Sequence, residues 1–257
     1  MMQPTILAIF AHPDDESFCC GGTLALLAKV ARVEVLCCTR GEASSAKPTN
    51  GISLAQMRTA ELHAACTILG TQAPHFLEYH DSGFHTPSQF GKRLADADIF
   101  AVAKEVRTLI ATLEPQVLIS FDPRGYYGHP DHIAVHRIVQ AAFFSSAMLE
   151  NPPHSLLYTM PSSALLERFR QAGFGELATD EYALPDPYLR VDCSTVREQK
   201  RKAILVHQSQ SGTGSGIDKL LPELHNQDSS PVFDEELFAL GASRGQHTDL
   251  ARLMTCR

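Results

Sequence analysis

Two short loops carry histidine and aspartate residues at spacings that suit a metal site. The first loop has the sequence AHPDDE at residues 11–16, and the second has GHPDH at residues 128–132. In each loop a His-Pro pair precedes acidic residues, and the potential ligands stand three residues apart. Because proline restricts the backbone, each loop can turn tightly enough for such ligands to converge on one ion.

Two histidines and one carboxylate from these loops would form a catalytic type of metal site. His12 and Asp15 supply two ligands, and His132 from the other loop supplies the third. Three protein ligands leave a position open for water, which is the pattern of catalytic zinc. The same ligand set also suits Fe2+, so the residues leave the metal open between zinc and iron.

Two further residues could move protons at this site. Asp14 adjoins Asp15 but would point elsewhere, so it could act as general base while water attacks a carbonyl group. His129, three residues before His132, could face the same cavity. Its charge would depend on Asp131, and a charged ring could stabilise an oxyanion and protonate a leaving amine. One such loop alone would be read as a turn with capping acids, whereas two after buried strands favour a metal site.

The segments before both loops are short and continuously apolar. Residues 5–10 and 117–121 therefore predict strands that are buried on both faces, as in parallel sheets. Strand and helix patterns alternate along the chain, which predicts an α/β fold with a Rossmann-like, doubly wound, mostly parallel sheet and helices on both faces. Ligands of such sheets bind at the carboxyl ends of the strands, where both loops are expected.

The helix and strand patterns along the rest of the sequence predict one domain over residues 1–257. About residues 1–145 would form the core with the metal motifs, and about residues 146–257 would complete the substrate pocket. Helices are predicted at 21–30, 54–69, 99–113, 131–144, 162–171 and 195–206, and further strands at 33–39, 76–79, 156–160 and 188–191. The Ser- and Gly-rich segment 209–216 predicts a mobile loop, with residues 209–221 as a candidate lid.

Composition excludes several classes of protein. The chain has 257 residues with 44% hydrophobic and 20% charged residues, which excludes a disordered or fibrous protein. A net charge of -7 without a basic cluster argues against a nucleic-acid partner. Apolar runs stay short of the roughly 20 residues that a membrane span needs. The first residues lack the basic region of a signal peptide, so a cytoplasmic protein with no membrane partner is expected.

The cysteine spacing and the absence of two motifs exclude further classes of protein. Seven cysteines include the adjacent pairs Cys19-Cys20 and Cys37-Cys38 and no C-x-x-C spacing, so they are predicted to be buried packing residues in a reducing compartment. The chain lacks the G-x-G-x-x-G motif of dinucleotide sites and the G-x-S-x-G motif of serine hydrolases.

The two metal motifs together strongly resemble the PIG-L/LmbE-like superfamily of zinc-dependent N-deacetylases. Supporting similarity lies in TRGE at 39–42, RTAEL at 58–62 and KAILVHQSQ at 202–210, so the resemblance spans roughly residues 5–240. The segment DPRGYYG at 122–128 is similar to the branch that acts on N-acetylglucosaminyl-inositol.

The resemblance implies an enzyme that removes the acetyl group from a small N-acetylglucosamine-type substrate. Its implied site residues are His12, Asp15 and His132 as zinc ligands, Asp14 as general base, His129 as the acid or oxyanion-side group held by Asp131, Tyr127 polarising the carbonyl, and Arg58 contacting substrate. Two alternatives remain: an amidase of another acyl-amino sugar or thiol conjugate, and a non-catalytic sugar-binding relative. The absence of lysine just after Glu16 weakens the thiol-conjugate version.

Several of these candidate site residues could instead have a purely structural role. Tyr127 could only pack in its loop, and Arg58 could form a surface ion pair with Glu61 on its helix. Glu16 could orient a ligand or cap the following helix, and His207 could serve packing alone. Asp81 and Ser82 follow a predicted strand and could face the site, but the signal is weak. The group attached to the sugar stays open, as does a homo-oligomeric assembly.

Overall fold

The computed structural model of the protein describes residues 3–47, 51–84, 86–171, 186–211 and 233–245. Its strands are β1 (Thr5–Phe10), β2 (Arg32–Cys37), β3 (His75–Phe76), β4 (Val117–Phe121), β5 (Ser155–Met160), β6 (Leu189–Asp192) and β7 (Glu235–Ser243). Its helices are α1 (Asp15–Leu27), α2 (Leu54–Leu69), α3 (Ile99–Leu113), α4 (Gly125–Gly128), α5 (Pro130–Ser145), α6 (Ser163–Gln171) and α7 (Arg197–Leu205).

The described strands form one sheet in the order β3-β2-β1-β4-β5-β7-β6. Strands β1 to β5 pair in parallel, while β7 runs antiparallel to both β5 and β6. The chain moves outward from β1 to β3 and then returns to start β4 on the other side of β1. The predicted doubly wound α/β class is therefore confirmed, and the strand order reverses between β1 and β4.

Burial explains why the central strands are apolar throughout. Ile6 to Phe10 of β1 and all of β4 are buried. Helix α1 contacts α2 and α7, while α3 contacts α5. The six cysteines in the described ranges are buried and free, as predicted, and burial raises the pKa of Cys66 to about 12.

Helix boundaries differ from the predictions mainly around the first loop. Helix α1 begins at Asp15 and not at Gly21, and its dihedral angles leave the helical range at Cys20, where φ is −154°. Nearly every residue of α1 is buried, so its first turn lacks the polar face that marks a surface helix. Helix α2 begins at the predicted residue, after a capping box formed by Ser53 and Gln56. Strand β3 is shorter than predicted, and β7 was not predicted.

A buried ion pair joins β7 and α7 to the break in α1. Glu236 Oε1 lies 2.7 Å from Lys200 Nζ, and both side chains are almost fully buried. The Glu236 carboxylate also accepts the backbone N–H groups of Gly22 and Thr23 at 2.9 and 2.7 Å. Because the kink at Cys20 frees these N–H groups, Glu236 acts as the N-terminal cap of the second half of α1.

Within the described ranges, no helix has the length and apolar character needed to cross a bilayer. The candidate lid at 209–221 lies outside the described residues beyond Ser211.

We expect Lys200→Met to lower the free energy of unfolding by about 3–5 kcal/mol, because it leaves the Glu236 charge buried without its partner. Lys202→Met on the same helix is the matched control, since that side chain is 62% exposed. Denaturant unfolding of both variants measures the difference. Similar losses in the two variants would contradict a structural role for the buried pair.

Candidate metal centre

Parallel pairing of β1 and β4 brings the two loops together. Ile6 lies opposite Val117, so both strands deliver their following loops to the same edge of the sheet. After β4, the chain makes the single turn α4 and then enters α5 with Pro130 at its first position, which suits proline. The side chains of the two loops therefore meet where the strand order reverses.

The predicted ligand atoms converge. His12 Nδ1 lies 3.2 Å from His132 Nε2 and 3.6 Å from Asp15 Oδ2. Asp15 Oδ1 lies 3.2 Å from His132 Nε2. Atoms bound about 2.0–2.1 Å from one tetrahedral ion stand roughly 3.4 Å apart, which is close to these three distances, although the two histidines approach different oxygens of Asp15.

The other nitrogen of each histidine is hydrogen-bonded. His12 Nε2 donates to Asp131 Oδ2 at 3.1 Å and lies 3.4 Å from Asp81 Oδ1. His132 Nδ1 donates to the carbonyl oxygen of Gly125 at 3.1 Å. These partners fix which nitrogen carries hydrogen, so His12 Nδ1 and His132 Nε2 are free to bind a cation.

A second grouping around His12 fits a metal less well. Nitrogen or carboxylate atoms of His12, Asp81, His129 and Asp131 lie within 4.8 Å of one another. Asp131 is fully buried, and its carboxylate already accepts the N–H and hydroxyl groups of Ser82 as well as the His12 ring. Three hydrogen bonds thus already engage both oxygens of this carboxylate, so we interpret Asp131 as a support for His12.

Asp131 does contact His129, as predicted, but with its backbone and not with its carboxylate. The Asp131 carboxylate contacts His12, and it is the Asp131 backbone N–H that donates to His129 Nδ1, at 3.1 Å. His129 thereby caps α5. Burial lowers the pKa of His129 well below its usual value, and the neighbouring His12 and His132 act in the same direction. A neutral His129 ring that accepts at Nδ1 carries its hydrogen on Nε2.

Asp14 stands beside the converging ligands in a strained backbone conformation. Its φ is 119°, a region that residues other than glycine rarely adopt. Its side chain is 15% exposed and lies 3.1 Å from Arg58 Nη2. Burial raises the pKa of Asp14 to about 6, although the Arg58 charge acts in the opposite direction.

Arg58 holds the loop that contains Asp14. Besides Asp14, its guanidinium donates to the carbonyl oxygen of Gly41 at 2.7 Å and to that of Pro13. A side chain at position 41 would place its Cβ 2.0 Å from Arg58 Nη1, which explains the glycine there. Glu61 instead accepts hydrogen bonds from the N–H and hydroxyl of Ser209. The alternative of a surface ion pair between Arg58 and Glu61 is therefore wrong.

Glu16 and His207 also hold this loop. Glu16 Oε2 accepts the Asp14 N–H at 3.0 Å, and Glu16 Oε1 lies 3.0 Å from His207 Nε2. Burial alone would lower the pKa of His207, but the Glu16 carboxylate outweighs it and raises that pKa. The late segment that contains His207 is thus tied to the first loop as well as to α2.

The aromatic side chains enclose the histidines. Tyr127 meets His132 edge-on with ring centroids 4.9 Å apart, and Phe84 stacks on His129 at 5.3 Å. Phe121 stacks on His132 at 4.0 Å. Tyr127 therefore lies beside the site, and its catalytic role stays a prediction.

Asp81 and Ser82, which the sequence indicated only weakly, support the site through His12 and Asp131. Both follow β3, which pairs with β2 at the same edge of the sheet. The sequence feature that indicated these two residues was their position after a predicted strand. Their contacts to Asp131 and His12 span about 50 to 70 residues of sequence, and local spacing carries no information about such contacts.

These features define a Rossmann-like α/β protein with a buried group of histidine and aspartate side chains, at the reversal point of its sheet, that could hold a metal ion. Residues 7–143 match the family model for PIG-L, described as GlcNAc-PI de-N-acetylase. This match covers more than half of the chain, and the chain belongs to that family.

The sequence is similar to deacetylases over nearly the whole length of one relative and over half the length of another. The 1D-myo-inositol 2-acetamido-2-deoxy-alpha-D-glucopyranoside deacetylase of Saccharomonospora viridis is 33% identical over 279 residues, covering 95% of this chain and 98% of that protein. The protein of the same name from Mycobacterium sp. (strain KMS) is 39% identical over 155 residues, 55% of this chain and half of that relative's length. The N,N'-diacetylchitobiose deacetylase structure from Pyrococcus horikoshii has 21% identity and a TM-score of 0.66, covering 92% of this chain and 83% of that one, and shows the shared fold.

We expect the purified protein to bind one zinc ion per chain, and replacement of His12, Asp15 or His132 by alanine to abolish stoichiometric binding. Asp131→Asn should weaken zinc binding by about 10- to 100-fold, because it removes the acceptor that orients His12. Metal analysis and competition with a chelating dye measure both effects.

The control is His63→Asn, which changes an exposed histidine on α2 and should leave zinc binding intact. Full zinc binding by the His132→Ala variant would contradict the proposed ligand set.

Proposed function

We propose that the protein is a zinc-dependent hydrolase that removes the acetyl group from a small N-acetylglucosamine-type substrate. The observation that carries this proposal is the approach of His12 Nδ1 to His132 Nε2 at 3.2 Å, with one Asp15 oxygen 3.6 Å from the first nitrogen and the other Asp15 oxygen 3.2 Å from the second. The family of the chain and the names of its relatives support the amide bond as the target.

We assign the metal to His12, Asp15 and His132. Two imidazoles and one carboxylate match the ligand set of catalytic zinc sites, while Fe2+ remains compatible with the same donors. Bound there, zinc supplies Lewis acidity that polarises a carbonyl group and acidifies water.

Asp14 is the general base in this proposal. Arg58 binds Asp14 Oδ2, which leaves Oδ1 as the oxygen that takes a proton from the attacking water. A carboxylate whose pKa is raised to about 6 by burial can both accept that proton and return it to the departing amine near neutral pH. Contacts from Arg58 and Glu16 to the same loop hold this carboxylate still during the reaction.

His129 donates a hydrogen bond to the developing oxyanion in this proposal. Its Nδ1 is occupied by the Asp131 N–H, so the neutral ring presents hydrogen at Nε2. A neutral donor stabilises negative charge on the carbonyl oxygen without first taking up a proton. This modifies the expectation of a charged His129, because burial and the two neighbouring imidazoles disfavour the cation. Tyr127 is assigned as a second group that polarises the same carbonyl, and Arg58 keeps its expected contact with substrate.

The proposed partner is therefore a small acetylated amino sugar, and a cytoplasmic location and a homo-oligomer stay predictions. An amidase of another acyl-amino sugar remains a second outcome of the substrate test. A non-catalytic sugar-binding protein is less well supported, because the chain retains all three proposed ligands and the proposed base Asp14.

We expect the zinc-loaded protein to release amine from N-acetylglucosamine, N-acetylglucosaminyl-inositol or N,N'-diacetylchitobiose. Asp14→Asn should reduce kcat by roughly 100- to 10,000-fold, because an amide cannot accept the proton of the water. Fluorogenic detection of primary amine measures turnover.

Zinc content is determined for the same Asp14→Asn sample, so that loss of metal is separated from loss of the base. Unchanged turnover with zinc bound would refute the role of Asp14. No amine release from any of the three compounds by zinc-loaded wild type would refute the proposed substrate class.

A further inference from the structure

His207 is a buried histidine that lies outside the proposed metal ligands. Its side chain is 2% exposed, and its Nε2 lies 3.0 Å from Oε1 of Glu16, whose side chain is 1% exposed. The other ring nitrogen, Nδ1, has no hydrogen-bond partner among the described residues. Within that part of the chain, the polar contact of this ring is therefore made with Glu16.

Glu16 connects this ring to the backbone of Asp14. Its Oε2 accepts the Asp14 N–H at 3.0 Å, and its Oε1 faces His207. The Ser17 hydroxyl also donates to Oε1, at 2.5 Å, but Ser17 is the next residue in the chain and moves with Glu16. Because both oxygens belong to one planar group, the ring at Oε1 fixes the direction in which Oε2 meets the Asp14 N–H.

The strained backbone of Asp14 depends on two partners. Its φ of 119° is one that residues other than glycine rarely adopt. Arg58 binds the Asp14 carboxylate and the carbonyl oxygen of Pro13, whereas Glu16 binds the Asp14 N–H. The carboxylate and the backbone of the proposed base are therefore held by different residues.

His207 is itself fixed in place by helix α2. The N–H and hydroxyl groups of Ser209 donate to Glu61 at 2.8 and 2.6 Å, and the Gln210 N–H donates to the carbonyl oxygen of His207 at 3.0 Å. Glu61 lies on the same helix as Arg58. Helix α2 thus anchors both partners of the Asp14 loop, one directly and the other through the segment that contains His207.

The charges of the first loop require a cation at this position. Asp14, Asp15 and Glu16 are three successive acids, and a buried carboxylate without a counter-charge is costly. Burial opposes a charge on the His207 ring, but the Glu16 and Asp14 carboxylates outweigh it and raise the pKa of His207. The ring thus supplies the counter-charge with which Glu16 stays buried while it accepts the Asp14 N–H.

We propose that His207 is a positioning residue, which acts through Glu16 to hold Asp14 in the backbone conformation that places its carboxylate beside the metal ligands. The inference rests on the proposed function, because it takes Asp14 as the base that acts on water. Asp15 is held separately, since its carboxylate accepts the His12 N–H at 2.8 Å. Loss of the His207 contact therefore acts on kcat and spares zinc affinity and KM.

Two substitutions of His207 separate its hydrogen bond from the packing of its ring. In His207→Gln the amide nitrogen stands where Nε2 stands in histidine and can still donate to Glu16, whereas the shorter amide of His207→Asn stands near Nδ1. We expect His207→Asn to lower kcat by about 10- to 100-fold, with KM and the Kd of zinc changed less than about 3-fold, because the base is displaced while both binding sites persist. His207→Gln should restore kcat to within about 5-fold of wild type.

Turnover is measured on zinc-saturated protein with N-acetylglucosamine, N-acetylglucosaminyl-inositol or N,N'-diacetylchitobiose, whichever wild type hydrolyses, and the Kd of zinc by competition with a chelating dye. Gln208→Ala is the matched control, because this neighbouring side chain is exposed, and kcat should not change. Wild-type kcat in His207→Asn would overturn the proposal. Equal losses in the Asn and Gln variants, or a loss of zinc affinity that parallels the loss of kcat, would indicate a merely structural role and would also overturn it.

A second variant tests the same link from the other side. Glu16→Asp keeps the negative charge but shortens the side chain, so that it cannot reach His207 and the Asp14 N–H together. It should lower kcat with zinc affinity retained, and it decides the proposal if His207→Asn does not fold. Wild-type kcat in Glu16→Asp would contradict the positioning role.

The outcomes separate this proposal from the proposed function. If wild type releases no amine from any of the three compounds, the proposed function fails, and crystal structures of wild type and His207→Asn then test the positioning role by itself. We expect the variant to lose the positive φ of Asp14, which is 119° in the wild type. The same φ in both structures would overturn the role of His207.

Discussion

The position of one imidazole ring, that of His12, governs the rest of the site. One nitrogen must lie within about 3.4 Å of two further ligand atoms to share a tetrahedral ion with them. The opposite nitrogen must meet an acceptor that holds the ring in this orientation. Asp131 provides that acceptor at 3.1 Å from the start of α5, the same helix that carries His132. A shift between β1 and β4 would separate His12 from both residues at once.

Several charged groups are buried to maintain this geometry, and each has a partner. Arg58 and Glu16 bind the Asp14 loop from two sides, and Lys200 with Glu236 secures the broken helix α1 that follows it. Unpaired, such groups would cost several kcal/mol each, and the positive φ of Asp14 adds roughly 1–3 kcal/mol of strain. The many contacts around one loop are consistent with a site that keeps a strained carboxylate beside a cation.

Local patterns were sufficient to predict much of the fold and to select the three proposed ligands, whose side chains the structure brings together. His12, Asp15 and His132 stand at fixed spacings directly after apolar strands, and the topology of a doubly wound sheet brings such positions together. The partners of these residues were harder to predict. The Asp131 carboxylate contacts His12, while His129 receives the Asp131 backbone N–H, and Glu61 binds Ser209. The side-chain pairings depend on three-dimensional packing across distant segments. The start of α1 was missed because its first turn is buried on every side.

In the proposed metal centre, His12 binds the metal through Nδ1 while Asp131 holds Nε2. Anomalous diffraction at the zinc edge from crystals of the zinc-loaded protein tests this directly. We expect one peak about 2.0–2.2 Å from His12 Nδ1, His132 Nε2 and an Asp15 oxygen. A peak bound instead by His12 Nε2 together with Asp81, His129 or Asp131 would contradict it.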